Sequence, residues 1–136
     1  MSQRLNRIRG NELGNLMDLN FTVAEKSFRD EIRTWLEENK PKDKWLPMDT
    51  EIGFEQHRGW ERQLFDSKWS VPNWPHEYGG RECSLIEWLI FEEEYYRAQA
   101  PLRVNQNGIF LLGPTLMEYG TSQQKERFIT RMASGE

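Results

Sequence analysis

Residues 84–101 read Ser84-Leu85-Ile86-Glu87-Trp88-Leu89-Ile90-Phe91-Glu92-Glu93-Glu94-Tyr95-Tyr96-Arg97-Ala98-Gln99-Ala100-Pro101, and this stretch decides the fold class. Ser84 and Glu87 have the spacing of a capping box, in which a hydroxyl accepts from the N3 amide and a glutamate reaches back. Pro101 bounds the far end, so a helix is predicted to about Arg97 or Ala98. Its first half is apolar on nearly every side, through Leu85, Ile86, Trp88, Leu89, Ile90 and Phe91. Such a helix is expected to be buried between neighbours as the centre of a domain. Glu92 falls on the stripe of Leu85, Trp88, Leu89, Tyr95 and Tyr96. A carboxylate there needs a partner, so Glu92 is expected to be a structural acceptor held by an arginine or backbone amides.

Outward from this stretch the pattern stays helical. Thr22-Val23-Ala24-Glu25 is another capping box, and Ala24, Phe28, Ile32, Trp35 and Leu36 follow at helical spacing. Pro41 disfavours αR at Lys40, which ends that helix near Glu38 or Asn39. Residues 40–50 read as a loop. A second helix is predicted over 54–68, with Phe54, His57, Trp60 and Leu64 on one side. An aromatic, proline-rich connection follows, Val71-Pro72-Asn73-Trp74-Pro75-His76-Glu77-Tyr78-Gly79-Gly80. Its glycine pair specifies a tight turn, because glycine enters positive φ without steric cost.

A fourth helical segment spans 104–119, with a kink or break expected at Pro114, and Gly120 ends it. Ile109, Leu112, Leu116 and Tyr119 form one apolar stripe. Val104, Gly108, Leu111 and Thr115 form an adjacent one, narrowed at Gly108 to a notch that admits either a second helix or an extended ligand. Thr121 and Gln124 open a fifth helix carrying Phe128, Ile129 and Met132, which stops at Ser134-Gly135-Glu136. No alternating strand pattern competes. The fold class is all-α, an up-and-down-like bundle of about five helices.

Composition bounds the partners. The 136 residues carry a net charge of −4, which provides no nucleic-acid-binding footprint. No run of about 18 apolar residues could span a membrane. The single Cys83 cannot form an internal disulfide, which fits a reducing compartment, and a cytoplasmic location is expected. Residues 1–16 hold Arg4, Arg7 and Arg9 without an apolar core, so they read as a disordered extension, or as a start codon assigned upstream of Met17.

Catalytic signatures are missing. His57 and His76 do not follow a glutamate by three residues, as a carboxylate-bridged metal bundle needs. His76-Glu77 lacks a second histidine at position 80. Gly108 and Gly113 have the first spacing of a phosphate loop, but Pro114-Thr115 replaces its Lys-Ser/Thr. Cys83 reads as a loop cysteine and His57 as a packed helix-face histidine. No catalytic, cofactor-binding or metal-ligating residue is assigned.

Taken together, these residues resemble the N-terminal helical domain of the flavin-dependent acyl-CoA dehydrogenases. Four pieces carry the likeness. Met17-Asp18-Leu19-Asn20-Phe21-Thr22 opens a helix with Phe28, Arg29 and Leu36. Gly59-Trp60 through Trp69 precede Trp74-Pro75-His76-Glu77-Tyr78-Gly79-Gly80. Ile90-Phe91-Glu92-Glu93-Glu94 leads to Ala98-Gln99-Ala100-Pro101. Gly113-Pro114-Thr115-Leu116 and Gly120-Thr121 through Lys125 run to Ser134-Gly135-Glu136.

The resemblance implies an oxidoreductase of fatty-acid or lipid metabolism that converts an acyl-CoA to a 2,3-enoyl-CoA. In such enzymes a glutamate base takes the α proton and FAD accepts the β hydride. It places that glutamate in a C-terminal domain, and most flavin contacts in a middle β-domain and a neighbouring subunit. Residues 17–136 then correspond to the N-terminal domain alone, a fragment or truncated form without the base or the main flavin site. FAD is expected in the complete oligomeric enzyme and not on this chain alone. Arg103, Val104, Asn107, Gly108 and Leu111 are expected to wall the acyl pocket, and the polar Arg103 and Asn107 point to an acyl group other than a plain long alkyl chain. The remaining dehydrogenase domains or a partner subunit would cover the exposed apolar face. The alternative is a non-catalytic helical module that keeps the fold and binds a partner protein or lipid.

Overall fold

The computed structural model describes residues 20–136, so the expectation for residues 1–16 lies outside the described residues. These residues form five α-helices and no strand: α1 (Val23–Asn39), α2 (Glu51–Asp66), α3 (Leu85–Arg97), α4 (Gly113–Tyr119) and α5 (Ser122–Ser134). Three of the five begin where a capping box was read. Thr22, Ser84 and Thr121 each accept from the N3 amide, and Glu25, Glu87 and Gln124 reach back to the cap amide. α2 starts three residues earlier than its apolar pattern suggested, because the Thr50 hydroxyl takes the Gly53 amide and supplies an N-cap.

α1 packs on α3, α2 on α5, and α4 on α5. Two cores result. The larger joins Phe28, Ile32 and Leu36 of α1, Trp60 and Leu64 of α2, Trp69, and Ile90, Phe91 and Tyr95 of α3. Trp69 is its hub, stacked on Phe91 at 5.9 Å and set edge-on to Phe28 at 5.6 Å. The second core gathers Val71, Trp74, Ile109, Ile129 and Ala133. Ala24, counted on the α1 stripe in sequence, lies exposed in the first turn, before the helix meets α3.

The aromatic connection forms a 3-10 turn, His76–Tyr78, and reverses at Gly79, whose φ is +91°. A Cβ at Gly79 would lie 2.3 Å from the Phe65 ring, and one at Gly80 would lie 1.8 Å from the Trp74 carbonyl oxygen. Glycine is required there by both backbone conformation and space.

α3 corrects the expectation of an all-round buried helix. Only its α1-facing stripe, Ile90, Phe91, Glu94 and Tyr95, is buried. Leu85 is 72% exposed, Ile86 42% and Leu89 50%, because no described element packs on that side. The buried carboxylate is likewise Glu94 and not Glu92. Glu94 follows Ile90 by four residues and Phe91 by three, so it shares their face.

The fourth segment also departs from the simple pattern. Residues 108–112 form a π-helical turn, in which the Gly113 N–H donates to the Gly108 carbonyl, and α4 begins only at Gly113. The reason is Pro114: its ring would collide with the carbonyl of Phe110 in a continuous α-helix, and the wider turn shifts that register. Of the expected stripe Ile109, Leu112, Leu116 and Tyr119, only Ile109 is fully buried, while Leu112 and Tyr119 are exposed. The notch at Gly108 is filled from within the chain, where the Asn105 side chain lies 2.3 Å from a Cβ built on that glycine. The close approach is instead made at Gly113, seated against the Trp74 ring of the aromatic connection.

Candidate functional site

The C-terminal half of α3 and the chain leaving it line a half-open cavity of about 530 Å³. Its wall includes Glu92, Tyr95, Tyr96, Leu102, Arg103, Gln106 and Phe110. The volume suits a small-molecule group, since ligand pockets run from about 300 to 1,000 Å³.

Arg103 is the anchored cation of this wall. Its Nε donates to both Glu61 carboxylate oxygens, at 2.9 and 2.6 Å, and its Nη2 donates to the Ser70 carbonyl and hydroxyl at 2.7 and 3.0 Å. Both members of the ion pair are buried. Ser70 donates onward to the Ala133 carbonyl, which ties the cavity wall to α5. A buried ion pair is a weak source of net stability, but removing one partner strands the other charge. The network therefore holds Arg103 in one orientation.

Tyr95 closes the cavity floor. Its hydroxyl donates to the Pro101 carbonyl at 2.6 Å and accepts from Trp60 Nε1 at 2.7 Å. Burial raises its pKa, so the phenol stays neutral. Leu102, the neighbouring wall residue, is fixed through its carbonyl 3.0 Å from His57 Nδ1, while His57 Nε2 faces the Leu46 carbonyl at 3.2 Å. His57 is thus a buried strut, as its helix-face spacing suggested.

Glu92 is half-buried and accepts from Trp88 Nε1 at 3.1 Å. Burial raises its pKa, and the Arg103 charge and the indole N–H act against that rise. Glu94 behaves oppositely. Burial works to raise its carboxyl, but hydrogen bonds from Arg33, Arg29 and Arg97 prevail and hold it at about 2. Cys83 is pushed up to about 11, first by burial and then by the Glu87 charge, which makes it a poor nucleophile at neutral pH. Among the described residues no group of three or more His, Cys, Asp or Glu could hold a metal ion.

Of the five expected wall residues, Arg103 lines the cavity. Val104 borders a separate hollow with Phe54, Arg58 and Asn105. Asn107, just before the π turn, and Leu111 within it are exposed, and Gly108, its first residue, is buried. Sequence reasoning missed the Glu61 partner. Glu61 follows His57 by four residues and precedes Leu64 by three, so helical spacing already placed it on the buried stripe.

The comparisons with known proteins decide the family. The acyl-CoA dehydrogenase N-terminal domain matches residues 22–136. The chain belongs to the acyl-CoA dehydrogenase family. Acyl-CoA dehydrogenase IpdE1 of Mycolicibacterium smegmatis is 42% identical over 116 residues, spanning 81% of this chain and 30% of that protein. The ChsE4-ChsE5 complex from Mycobacterium tuberculosis superposes with a TM-score of 0.71 at 30% identity, over 88% of this chain and 30% of that one. The steroid ACAD Tcur3481-Tcur3483 gives 0.72 at 32% identity, over 88% and 31%. This acyl-CoA dehydrogenase N-terminal domain therefore spans about 30% of the length of each of these relatives.

The flavin dinucleotide that the family generally uses does not fit the cavity's donor set. Arg103 is committed to Glu61 and Ser70, and Arg97 to Glu94, while Glu92 adds a negative charge facing any diphosphate. No helix among the described residues is long and apolar enough to cross a membrane.

Proposed function

We propose that this chain forms one wall of the acyl pocket in a cytoplasmic, FAD-dependent acyl-CoA dehydrogenase that oxidises an acyl-CoA to a 2,3-enoyl-CoA. The base and the flavin site belong to other domains or to a partner subunit. The observation that carries the reading is the cavity held by Arg103, because it lies on the segment that the family resemblance assigns to the acyl group. On this segment Leu102, Arg103, Gln106 and Phe110 line it. The likeness to a protein described as a steroid ACAD supports a bulky, ring-bearing acyl group, and the cavity volume accommodates one.

The experiment is to purify the protein carrying this chain together with its co-purifying subunits. Flavin absorbance and acyl-CoA-dependent reduction of an artificial electron acceptor are then recorded, beside the same measurements on residues 1–136 alone. Activity is expected in the assembly, with neither flavin nor turnover in the isolated stretch. Stoichiometric flavin on residues 1–136 would overturn the division of labour. An assembly without acyl-CoA oxidation would favour the helical binding module instead.

A further inference from the structure

We infer that Glu92 is a specificity-determining residue of the acyl pocket, accepting a hydrogen bond from a hydroxyl on the acyl group at the end remote from the thioester. The inference rests on the acyl-pocket reading above. Three observations converge on it.

The first is charge. The two arginines of the cavity wall are neutralised within the protein, Arg103 by Glu61 at 2.6 Å and Arg97 by Glu94 at 2.8 Å. Glu92 receives a neutral indole N–H, so its charge dominates what a ligand meets. The second is hydrogen-bond capacity. A carboxylate offers about four acceptor positions, and Trp88 occupies one of them. The third is the apolar setting. Tyr95, Tyr96, Leu102 and Phe110 give the wall most of its apolar surface, Gln99 and Gln106 add only neutral amides, and the Tyr95 hydroxyl is already committed to Pro101 and Trp60.

A purely hydrocarbon tail filling this cavity would desolvate Glu92 and return nothing, which is costly for a charged group. A tail ending in its own carboxylate would be repelled. A hydroxyl donates to Glu92 while its carbon skeleton covers the aromatic wall, so it satisfies both features. The burial that raises the Glu92 pKa is consistent with a carboxylate in need of such a donor.

The test uses the intact dehydrogenase containing this chain and two thioesters matched in skeleton, 3-cyclohexylpropanoyl-CoA and 3-(4-hydroxycyclohexyl)propanoyl-CoA. Wild-type kcat/KM is expected to favour the hydroxylated thioester by about tenfold or more, as sites built to bond a hydroxyl do. Glu92→Leu should abolish the preference, read as the ratio of kcat/KM for the two thioesters. Should Glu92→Leu fail to fold, Glu92→Gln keeps the size and should reduce the preference severalfold. A wild type that oxidises both thioesters equally overturns the inference alone. So does a Glu92 variant that lowers both to the same degree, since the carboxylate then serves packing. A flavin-loaded enzyme that oxidises neither thioester nor any other acyl-CoA removes the acyl-pocket reading, and the inference with it.

Discussion

Gly79 and Glu94 show how much a single residue can decide here. At Gly79 the chain reverses with φ +91°, and the space a Cβ needs is occupied by Phe65. Gly79→Ala is expected to cost about 1–3 kcal/mol, read as a lower urea midpoint at unchanged slope. An unchanged midpoint would show that the turn relaxes freely. Glu94 is the more telling case, since two neighbouring glutamates look identical in sequence. Its carboxylate is 1% exposed and bonded by Arg29, Arg33 and Arg97. The folded pKa of about 2 lies below the unfolded value of about 4.3, so the stabilisation is complete above the unfolded value. It is lost as pH falls from about 5 toward 2. Glu94→Gln should flatten the acid limb of the stability-pH curve over that window, and an acid limb left unchanged would show that the arginine pairing contributes nothing there.

Among the elements, α3 separates what periodicity predicts from what packing decides. Phe91 is fully buried against Trp69, so Phe91→Ala is expected to cost about 3–5 kcal/mol. Trp88 lies at the rim, 6.2 Å from the Phe110 ring, and Trp88→Ala should cost clearly less, about 1–2 kcal/mol. Equal losses, measured by chemical denaturation, would place the two rings in one core and reject this arrangement. The capping boxes were legible because a hydroxyl and an acceptor three residues apart interact within one turn. The π turn was half legible. Pro114 announced a break, but whether the chain breaks, kinks or widens depends on Gly113 meeting Trp74, nearly 40 residues earlier in sequence.

Across the whole molecule, burial is lopsided. Beside the exposed Leu85, Ile86 and Leu89 of α3, the π turn leaves Leu111 and Leu112 exposed. Apolar surface of this kind associates in water when its area is large. Residues 1–136 are therefore expected to self-associate in sedimentation velocity, and the triple change Leu85→Ser, Ile86→Ser and Leu89→Ser should return them to monomer. Because these side chains contribute little to either core, the thermal midpoint should stay within a few degrees. A large drop in the midpoint would mean that they are buried after all.

The candidate site divides along the same line. Arg103 was legible as a polar residue on the segment that the resemblance assigned to the acyl group. Its anchoring was not, because Glu61 and Ser70 reach it from 42 and 33 residues away. Most helix positions, three of the caps, the glycine turn and the family were written in local spacing and in the order of motifs, since these depend on neighbours within a few residues. Which of three adjacent glutamates is buried, which side of α3 faces solvent, and where the cavity opens were decided only when distant segments met. Ion pairing and side-chain packing act through space, and linear spacing carries no record of those distances.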